Sequence, residues 1–538
     1  MDSTLLLKHM VSILVYHFKK NIMKKIILTF AFATVLFSCT DFTDVNEDQS
    51  NNPSALIINP SLSLAGAINN YTSNQLISFN SFGNEMSYIW ALNSGFTSAS
   101  SRITYNFTSA DENGLFQTTY YNADNFQDIL DSKANFPNYS YHFAIAKLFK
   151  VMSMDLLVTT YGDVPYSEAF NSNISRPKYD DDATIIPALF AELDQARDYI
   201  NNPSSNVVEL GNEDIVFGGD TAKWLKLINT IELRMLVRLS KTTNASLITL
   251  RNQRFSSLPN DFVDENVASN PGYGIATLGQ RSPMFRTWGL NAALDAWTSA
   301  NRANAAASFC SKLLQGQLNT ATVVNTGLVD PRRPRIYSGT SFTNQGTFPR
   351  TEVARVATFF HGRTGSDADV ANNAASNRDA YLMLAAESHF LQAEAIQRGY
   401  MSGSAQTKFN DGIDASFAFY NDYSFTDLPN GTLNPITYRA ASDSKLGLGW
   451  NATPDKISCI IHQKYIALAQ WNGYELYVDH LRTGYPALPL PDGITSVTNR
   501  PRRMIYPSSE YSTNASNVPS VTLPELFTVN AKTPVYLQ

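Results

Sequence analysis

One cysteine of this 538-residue chain stands in a sequence pattern that leads to covalent modification. Cys39 ends a short apolar run, residues 26–37, and Lys24 and Lys25 precede that run. This order of charge, apolar run and small terminal residues is typical of a bacterial secretion signal closed by a lipobox. The cysteine of such a signal is acylated and becomes the first residue of the mature protein. The pattern therefore predicts a signal peptide over residues 23–38 and lipidation of Cys39.

The flanks of this signal divide the rest of the chain. The apolar run is too short to span a bilayer, which needs about 20 residues, and a buried helix or strand is the alternative interpretation. Residues 1–22 are predicted to be a misassigned start or an extension of the leader. Residues 39–59 are polar and turn-rich, and we expect an acylated tether there. Residues 60–538 are expected to form a single domain.

Catalytic side chains give a weaker signal. Asp163 and Glu168 could form the carboxylate pair of a glycosidase, but sequence spacing does not show the separation of about 5–9 Å that this chemistry needs. His389 lies near Glu387 and Glu394 without the Glu/His spacing of a metal site, so packing in a helix is the simpler interpretation. The sequence has no P-loop, no His-Glu-x-x-His and no nucleophile elbow. It predicts no enzyme, no metal and no cofactor.

Charge excludes two classes of partner. The chain has 41 basic and 47 acidic residues, and removal of the leader with its five lysines and one acid leaves a net charge of about −10. Nucleic-acid binding requires a basic footprint, and charge-driven adhesion to an anionic membrane requires a basic cluster. Neither is present. Cys459 lies in an apolar helical pattern, so we expect a buried free thiol there rather than a disulfide.

Helical periodicity dominates the elements that must position any site. Apolar residues recur with i, i+3, i+4, i+7 spacing in several stretches, which predicts a mainly α fold with buried helix faces. Two of these stripes are Ile145, Leu148, Phe149, Met152 and Leu156, and Trp224, Leu227, Ile228, Ile231 and Met235. Between about 243 and 376 the pattern weakens and turn-forming residues become frequent. Long irregular stretches of this kind often carry function.

One helix pair is predicted in more detail. Ala393, Ala405, Phe409 and Gly412 have the small, small, aromatic, small spacing of a tetratricopeptide unit. Small residues let two antiparallel helices approach closely, and Phe409 would fill the space beside them.

Several segments, taken in order, resemble the SusD/RagB family, the lipid-anchored nutrient-binding proteins of the Bacteroidota outer membrane. The mature start resembles one subgroup over residues 44–53. The other matching segments are residues 161–169, 391–399, 463–468, 473–486 and 503–510.

The resemblance implies a fold, a partner and a location. It implies a scaffold of tetratricopeptide-like helix pairs with a more irregular, loop-rich half that binds ligand. It implies a SusC-like TonB-dependent outer-membrane barrel as partner, which the lipoprotein covers like a lid. It also implies a lipid-anchored protein of the cell outer membrane that faces the outside, and the acidic residues after Cys39 resemble the export signal of such lipoproteins.

The matched motifs themselves are interpreted as structural. Glu475 and Arg482 are seven residues apart on one predicted helix and share a face, so we expect them to form buried ion pairs with other elements. Pro165 is expected to end a helix at the Asp163 motif.

Ligand contacts are expected from aromatic rings beside amides. An aromatic face stacks on the C–H surface of a pyranose, while amide and charged side chains bond its hydroxyls. Trp90 and Asn93 lie at the polar stretch of residues 93–101, where similar proteins often place ligand-binding aromatics, and Trp288 and Trp297 occupy the irregular region. We expect ligand binding by Trp90 with Asn93, together with Trp288 or Trp297.

Four functions remain open at this point. The first is capture of an oligosaccharide for a TonB-dependent transporter. The second is the same architecture binding a peptide or another polymer. The third is a lipid-anchored hydrolase, and the fourth is a helical scaffold without a small ligand.

Overall fold

Helices form most of the regular structure in the computed structural model, which describes residues 59–96, 100–356, 377–421 and 433–538. The mainly α prediction is confirmed. The helices are α1 (Pro60–Asn74), α2 (Asn80–Met86), α3 (Ser101–Thr104), α4 (Asn113–Asp131), α5 (Ser140–Tyr161), α6 (Asp182–Asn201), α7 (Thr221–Arg238), α8 (Ala245–Ser257), α9 (Pro283–Trp288), α10 (Ser299–Ala303), α11 (Ser308–Leu314), α12 (Arg333–Ile336), α13 (Ala385–Gln397), α14 (Ala405–Asn421), α15 (Pro435–Ser442), α16 (Lys456–Leu468), α17 (Gly473–Thr483) and α18 (Ser508–Thr513). A π-helical turn, Gln75–Phe79, joins α1 to α2.

The long helix α5 is the centre of the first apolar cluster. Its residues are apolar on almost every side and nearly all are buried, as expected for a helix enclosed by others. Helices α4 and α6 pack on it, and α7 packs on α6. The two predicted stripes lie in this cluster, where the Phe149 ring meets Trp224 edge-on at 6.1 Å between centroids.

Helices α13 and α14 form the predicted close pair. A Cβ atom on Gly412 would lie 2.8 Å from ring carbons of Phe390, so a larger residue there would push the two helices apart. Ala393 and Phe409 are buried in the second apolar cluster, as the tetratricopeptide-like spacing predicts.

The irregular region contains short elements in a loop-rich framework. Strand β1 (Trp90–Leu92) pairs antiparallel with β3 (Asn304–Ala306), and Trp90 lies opposite Ala306. Strand β2 (Val267–Ser269) pairs antiparallel with β4 (Ala380–Met383). Helices α9 to α12 have four to seven residues each. Because the pairing is antiparallel, it brings the loop that follows β1 beside the segment that precedes β3, although the two strands are far apart in sequence.

A buried ion-pair network joins helices of the two clusters. Arg482 on α17 places Nη1 2.5 Å from Glu394 Oε1 on α13. Glu475, seven residues earlier on the same face of α17, pairs with Arg238 on α7 and with Lys464 on α16. The predicted pairing of Glu475 and Arg482 with other elements is confirmed. Neighbouring cations hold the pKa of Glu475 well below its usual range despite its burial.

The two cysteines among the described residues, Cys310 and Cys459, are buried free thiols. Burial raises the pKa of each thiol to about 12. The expectation of a buried free thiol at Cys459 is confirmed.

Candidate functional site

A surface pocket of about 430 Å³ opens where strand β1 ends. This volume lies in the range of small-ligand sites. The lining residues include Asn93, Phe96, Trp297, Arg302, Glu352 and Arg355. The fold thus brings two of the four predicted ligand residues, Asn93 and Trp297, to one pocket.

Asn93 connects two segments at the edge of this pocket. Its backbone N–H donates to the Ala303 carbonyl at 2.8 Å and so extends the β1–β3 pairing. Its side-chain Oδ1 accepts from the Val353 N–H at 3.0 Å, and Nδ2 donates to the Val353 carbonyl at 3.3 Å. The side chain is buried. Asn93 therefore uses its amide to position the loop near residue 353 and has little surface left for a ligand.

Trp297 lies on a tight reversal of the chain between α9 and α10. It forms an isolated antiparallel bridge with Leu290, and the Thr298 N–H donates to the Gly289 carbonyl at 3.0 Å. The ring packs against the small apolar cluster of Phe285 and Leu290. Trp297 is half-buried, so one part of the indole is supported while another part faces the pocket.

Charged side chains form another part of the pocket wall. Arg355 Nε donates to Glu352 Oε1 at 2.8 Å, and the two side chains are 34% and 60% exposed. Arg302, on α10, is also exposed. A β-bridge of Ala305 with Arg355 joins the segment after α10 to the segment that carries Arg355. Guanidinium groups supply hydrogen-bond donors and Glu352 supplies an acceptor. Together with Trp297 they offer an apolar face beside groups that bond hydroxyls or carbonyls.

Trp90 and Trp288 lie elsewhere, which corrects the expectation that they bind ligand directly. They are 2% and 5% exposed, and their rings meet edge-on with centroids 5.3 Å apart. The Trp90 indole N–H also donates to Gln470 Oε1. These rings have almost no face available for stacking. They stabilise the second apolar cluster, from which β1 and α9 extend toward the pocket.

Sequence reasoning missed Arg302, Glu352 and Arg355. Single charged residues in turn-rich sequence have no distinctive spacing, and they are about 210 to 260 residues away from Asn93 along the chain. Tertiary contacts bring them together: the β1–β3 pairing, the bonds between Asn93 and Val353, and the bridge of Ala305 with Arg355.

The carboxylates weighed for catalysis serve local structure. Glu168 Oε2 accepts from the Lys178 N–H at 2.9 Å, and Asp163 Oδ1 accepts from the Asp182 N–H at 3.1 Å. Asp163, Asp181 and Asp182 offer oxygen atoms within 4.8 Å of one another. Burial raises the pKa of Asp182 to about 7, and its Oδ2 accepts from the backbone N–H of residue 535. These bonds hold the start of α6, and we assign no metal or catalytic role to the cluster.

A protein-family model matches most of the chain and identifies its family. The SusD-like model, described as starch-binding and associating with the outer membrane, matches residues 46–507. The chain belongs to this SusD-like family.

Solved structures of SusD homologues have the same fold. A SusD homologue from Bacteroides fragilis NCTC 9343 has a TM-score of 0.67 and 21% identity, covering 89% of this chain and 98% of that chain. A chitin-binding protein has a TM-score of 0.63 and 22% identity, with 85% and 95% covered. A chitin-binding SusD homologue from Flavobacterium johnsoniae has a TM-score of 0.60 and 21% identity, with 84% and 94% covered. At these sequence identities, the similarity shows a shared fold and nothing more specific. No curated protein matches the sequence significantly.

The predicted anchor of this SusD-like chain, Cys39, lies outside the described residues, as do the leader segments 1–22 and 23–38 and all but the last residue of the tether 39–59. Among the helices of the described segments, none is both long enough and apolar enough to cross a bilayer.

Proposed function

We propose that this SusD-like protein is a nutrient-binding lipoprotein on the outer surface of the outer membrane. It captures an oligosaccharide and delivers it to a SusC-like TonB-dependent barrel. The family description, with its starch binding and outer-membrane association, supports this role, as do the chitin-binding proteins that share the fold. The observation that carries the proposal is the pocket in which Trp297 stands beside Arg302, Glu352 and Arg355.

The chemistry proposed at this pocket is recognition without bond cleavage. The exposed part of the Trp297 indole stacks on the C–H face of a sugar ring, because both surfaces are apolar and flat. Arg302 and Arg355 donate hydrogen bonds to ring and hydroxyl oxygens, while Glu352 accepts from hydroxyls. Asn93 keeps the loop that carries Glu352 and Arg355 in place through its bonds to residue 353.

Isothermal titration of the purified protein against panels of starch, chitin and peptide oligomers tests the proposal. For any glycan that binds, we expect Trp297→Ala to weaken the affinity by at least about tenfold, as for an aromatic anchor at the centre of a site. Trp450→Ala is the matched control, because Trp450 is also half-buried but packs on Phe409 away from the pocket. Binding of peptides with no glycan binding would instead favour the peptide alternative. An unchanged glycan affinity in Trp297→Ala would contradict the assignment of the site.

The anchor is tested separately from the ligand. In cells that lack the barrel partner, Cys39→Ala is expected to abolish retention in the membrane fraction while the thermal midpoint of the purified protein stays the same. Each buried methylene of an acyl chain contributes about 0.8 kcal/mol to retention, so loss of the chains removes most of the membrane affinity. A variant that still fractionates with membranes would refute lipid anchoring at Cys39.

A further inference from the structure

A second cavity, also of about 430 Å³, lies on the helical scaffold. It is bordered by α4, by the segment from Pro165 to Pro177 and by α18, and it shares no lining residue with the Trp297 pocket. We call it the α4–α18 cleft. The residues used below are Gln117, Tyr120, Tyr121, Asp124, Phe170 and Glu510.

Aromatic rings form one side of the α4–α18 cleft. Tyr121 is 69% exposed at the surface of α4. Tyr120 stands next to Phe170, with centroids 6.3 Å apart and ring planes tilted by 44°. The Tyr120 hydroxyl donates to the Pro165 carbonyl at 2.6 Å, which fixes this ring in the wall. The cleft therefore has a rigid aromatic wall and a free tyrosine at its opening.

Two acidic residues without a cationic partner among the described residues also line the cleft. Asp124 is three residues from Tyr121 on α4, so the two side chains share a helix face. Asp124 makes no ion pair with the residues that the structure describes. Glu510 Oε2 accepts from the Tyr179 hydroxyl at 2.8 Å, whereas Oε1 accepts no hydrogen bond from any described residue. The Tyr179 bond holds the Glu510 carboxylate in position and leaves one oxygen for a ligand.

In the part of the chain that the structure describes, no basic side chain lines the cleft to neutralise these carboxylates. Among the described residues that line it, none is lysine or arginine. Lys150 approaches the Phe170 ring, with Nζ 5.1 Å from the centroid, but this ammonium lies 3.2 Å from Glu192 Oε1 and does not line the cleft. The Trp297 pocket, in contrast, contains two arginines. The walls of the two pockets therefore differ in charge.

We propose that the α4–α18 cleft is a second ligand site and that it takes an amino sugar with a free ammonium group. The ammonium lies between the aromatic faces and the carboxylates of Asp124 and Glu510, an arrangement that combines cation–π attraction with charge pairing. The sugar ring stacks on Tyr121. Gln117 Nε2 donates to Ser509 Oγ at 2.8 Å, and Thr513 Oγ1 donates to the Ser509 carbonyl at 2.9 Å. The acceptor oxygens of these three side chains supply partners for sugar hydroxyls, which an alkylammonium on a peptide side chain would not require.

This inference rests on the proposed role in glycan capture only in the choice of a carbohydrate ligand. The two sites are separable, because Trp297→Ala removes the platform of the first pocket and Tyr121→Ala removes that of the cleft. A sugar polymer with free amino groups could contact the cleft while neutral units contact the other pocket.

The test is titration of the purified protein with oligomers of glucosamine, using N-acetylglucosamine oligomers of the same length as the uncharged probe and oligolysine as the charged probe without a sugar. We expect the glucosamine oligomer to bind more tightly than both, and to bind more weakly as salt is raised. Tyr121→Ala and Asp124→Asn should each weaken this binding by about three- to tenfold. Glu209→Gln is the control, because Glu209 is an exposed acid outside the cleft.

Both test residues are exposed on α4, so their variants are expected to melt at the wild-type temperature. Equal binding of the acetylated oligomer would overturn the charge selection, and oligolysine binding as tightly as glucosamine would overturn the sugar assignment. Unchanged glucosamine affinity in both variants would overturn the site. Failure of the Trp297 pocket gives a different pattern, in which Trp297→Ala changes no affinity while the cleft variants still lose glucosamine binding.

Discussion

Removal of Arg482 tests whether the buried ion pairs hold the helices together. The Arg482 side chain is fully buried, with Nη1 2.5 Å from Glu394 Oε1 and Nη2 2.8 Å from both Glu394 Oε2 and Asp479 Oδ1. Charges from Arg482 and Arg398 overcome burial and hold the pKa of Glu394 at about 2. Arg482→Met leaves two buried carboxylates with less compensation while keeping an apolar stem of similar length.

The magnitude follows from what remains around these carboxylates. Breaking one partner out of a buried pair costs about 3–5 kcal/mol. Glu394 keeps Arg398 at 2.7 Å and Asp479 keeps Lys464 at 2.9 Å, so we expect the lower end, about 3 kcal/mol. Urea unfolding followed by far-UV circular dichroism measures the loss. The double variant Arg482→Met/Glu394→Gln should recover at least about 1 kcal/mol of it, because no buried charge at residue 394 is then left without its partner.

An exposed ion pair provides the control for this experiment. Lys223 Nζ lies 2.6 Å from Glu265 Oε1, but the two side chains are 41% and 52% exposed. Lys223→Met is expected to cost less than about 1 kcal/mol, since water and salt screen such pairs. If Arg482→Met costs no more than Lys223→Met, or if the double variant is no more stable than Arg482→Met, the reasoning about buried charge is refuted.

Two further predictions concern buried titratable groups. Burial lowers the pKa of His462 from 6.5 to about 4, so below pH 6.5 the unfolded chain binds a proton that the folded imidazole does not, and stability falls as the pH drops toward 4. His462→Gln should therefore reduce the loss of unfolding free energy between pH 7 and pH 4.5 by about 2–3 kcal/mol in urea titrations, and parallel pH profiles would contradict this. Cys310 and Cys459 should react with a thiol reagent only after unfolding, because burial keeps both thiols protonated and inaccessible. Labelling of Cys310 or Cys459 in the native protein, located by peptide mapping, would contradict their burial.

The helical scaffold could be predicted from local pattern because its causes are local. The stripe from Ile145 to Leu156 is periodic, and a periodic apolar face is buried in whatever helix bundle forms around it. The small residue at Gly412 likewise signals a close helix contact, and the contact with Phe390 bears this out. Glu475 and Arg482 share a face by their spacing alone, although the identity of their partners depended on the packing of other helices.

Which of the predicted ligand residues line a pocket depended on the tertiary structure. No sequence pattern distinguishes Trp90, Trp288 and Trp297 from one another. In the structure, the first two rings are buried against each other and the third lines a pocket. Their exposure is set by which segments cover them, and no local pattern contains that information.

The sequence by itself determined the helical class, the family resemblance and the predicted anchor at Cys39, because each depends on residues that are close together in the chain or on ordered motifs. The two pockets were decided by the tertiary structure. The first requires β1 to pair with β3 more than 200 residues away, and the second requires α4 to meet α18 nearly 400 residues away. Such contacts form only when burial of the whole core offsets the entropy of closing those long loops, so they follow from the complete fold and not from any segment.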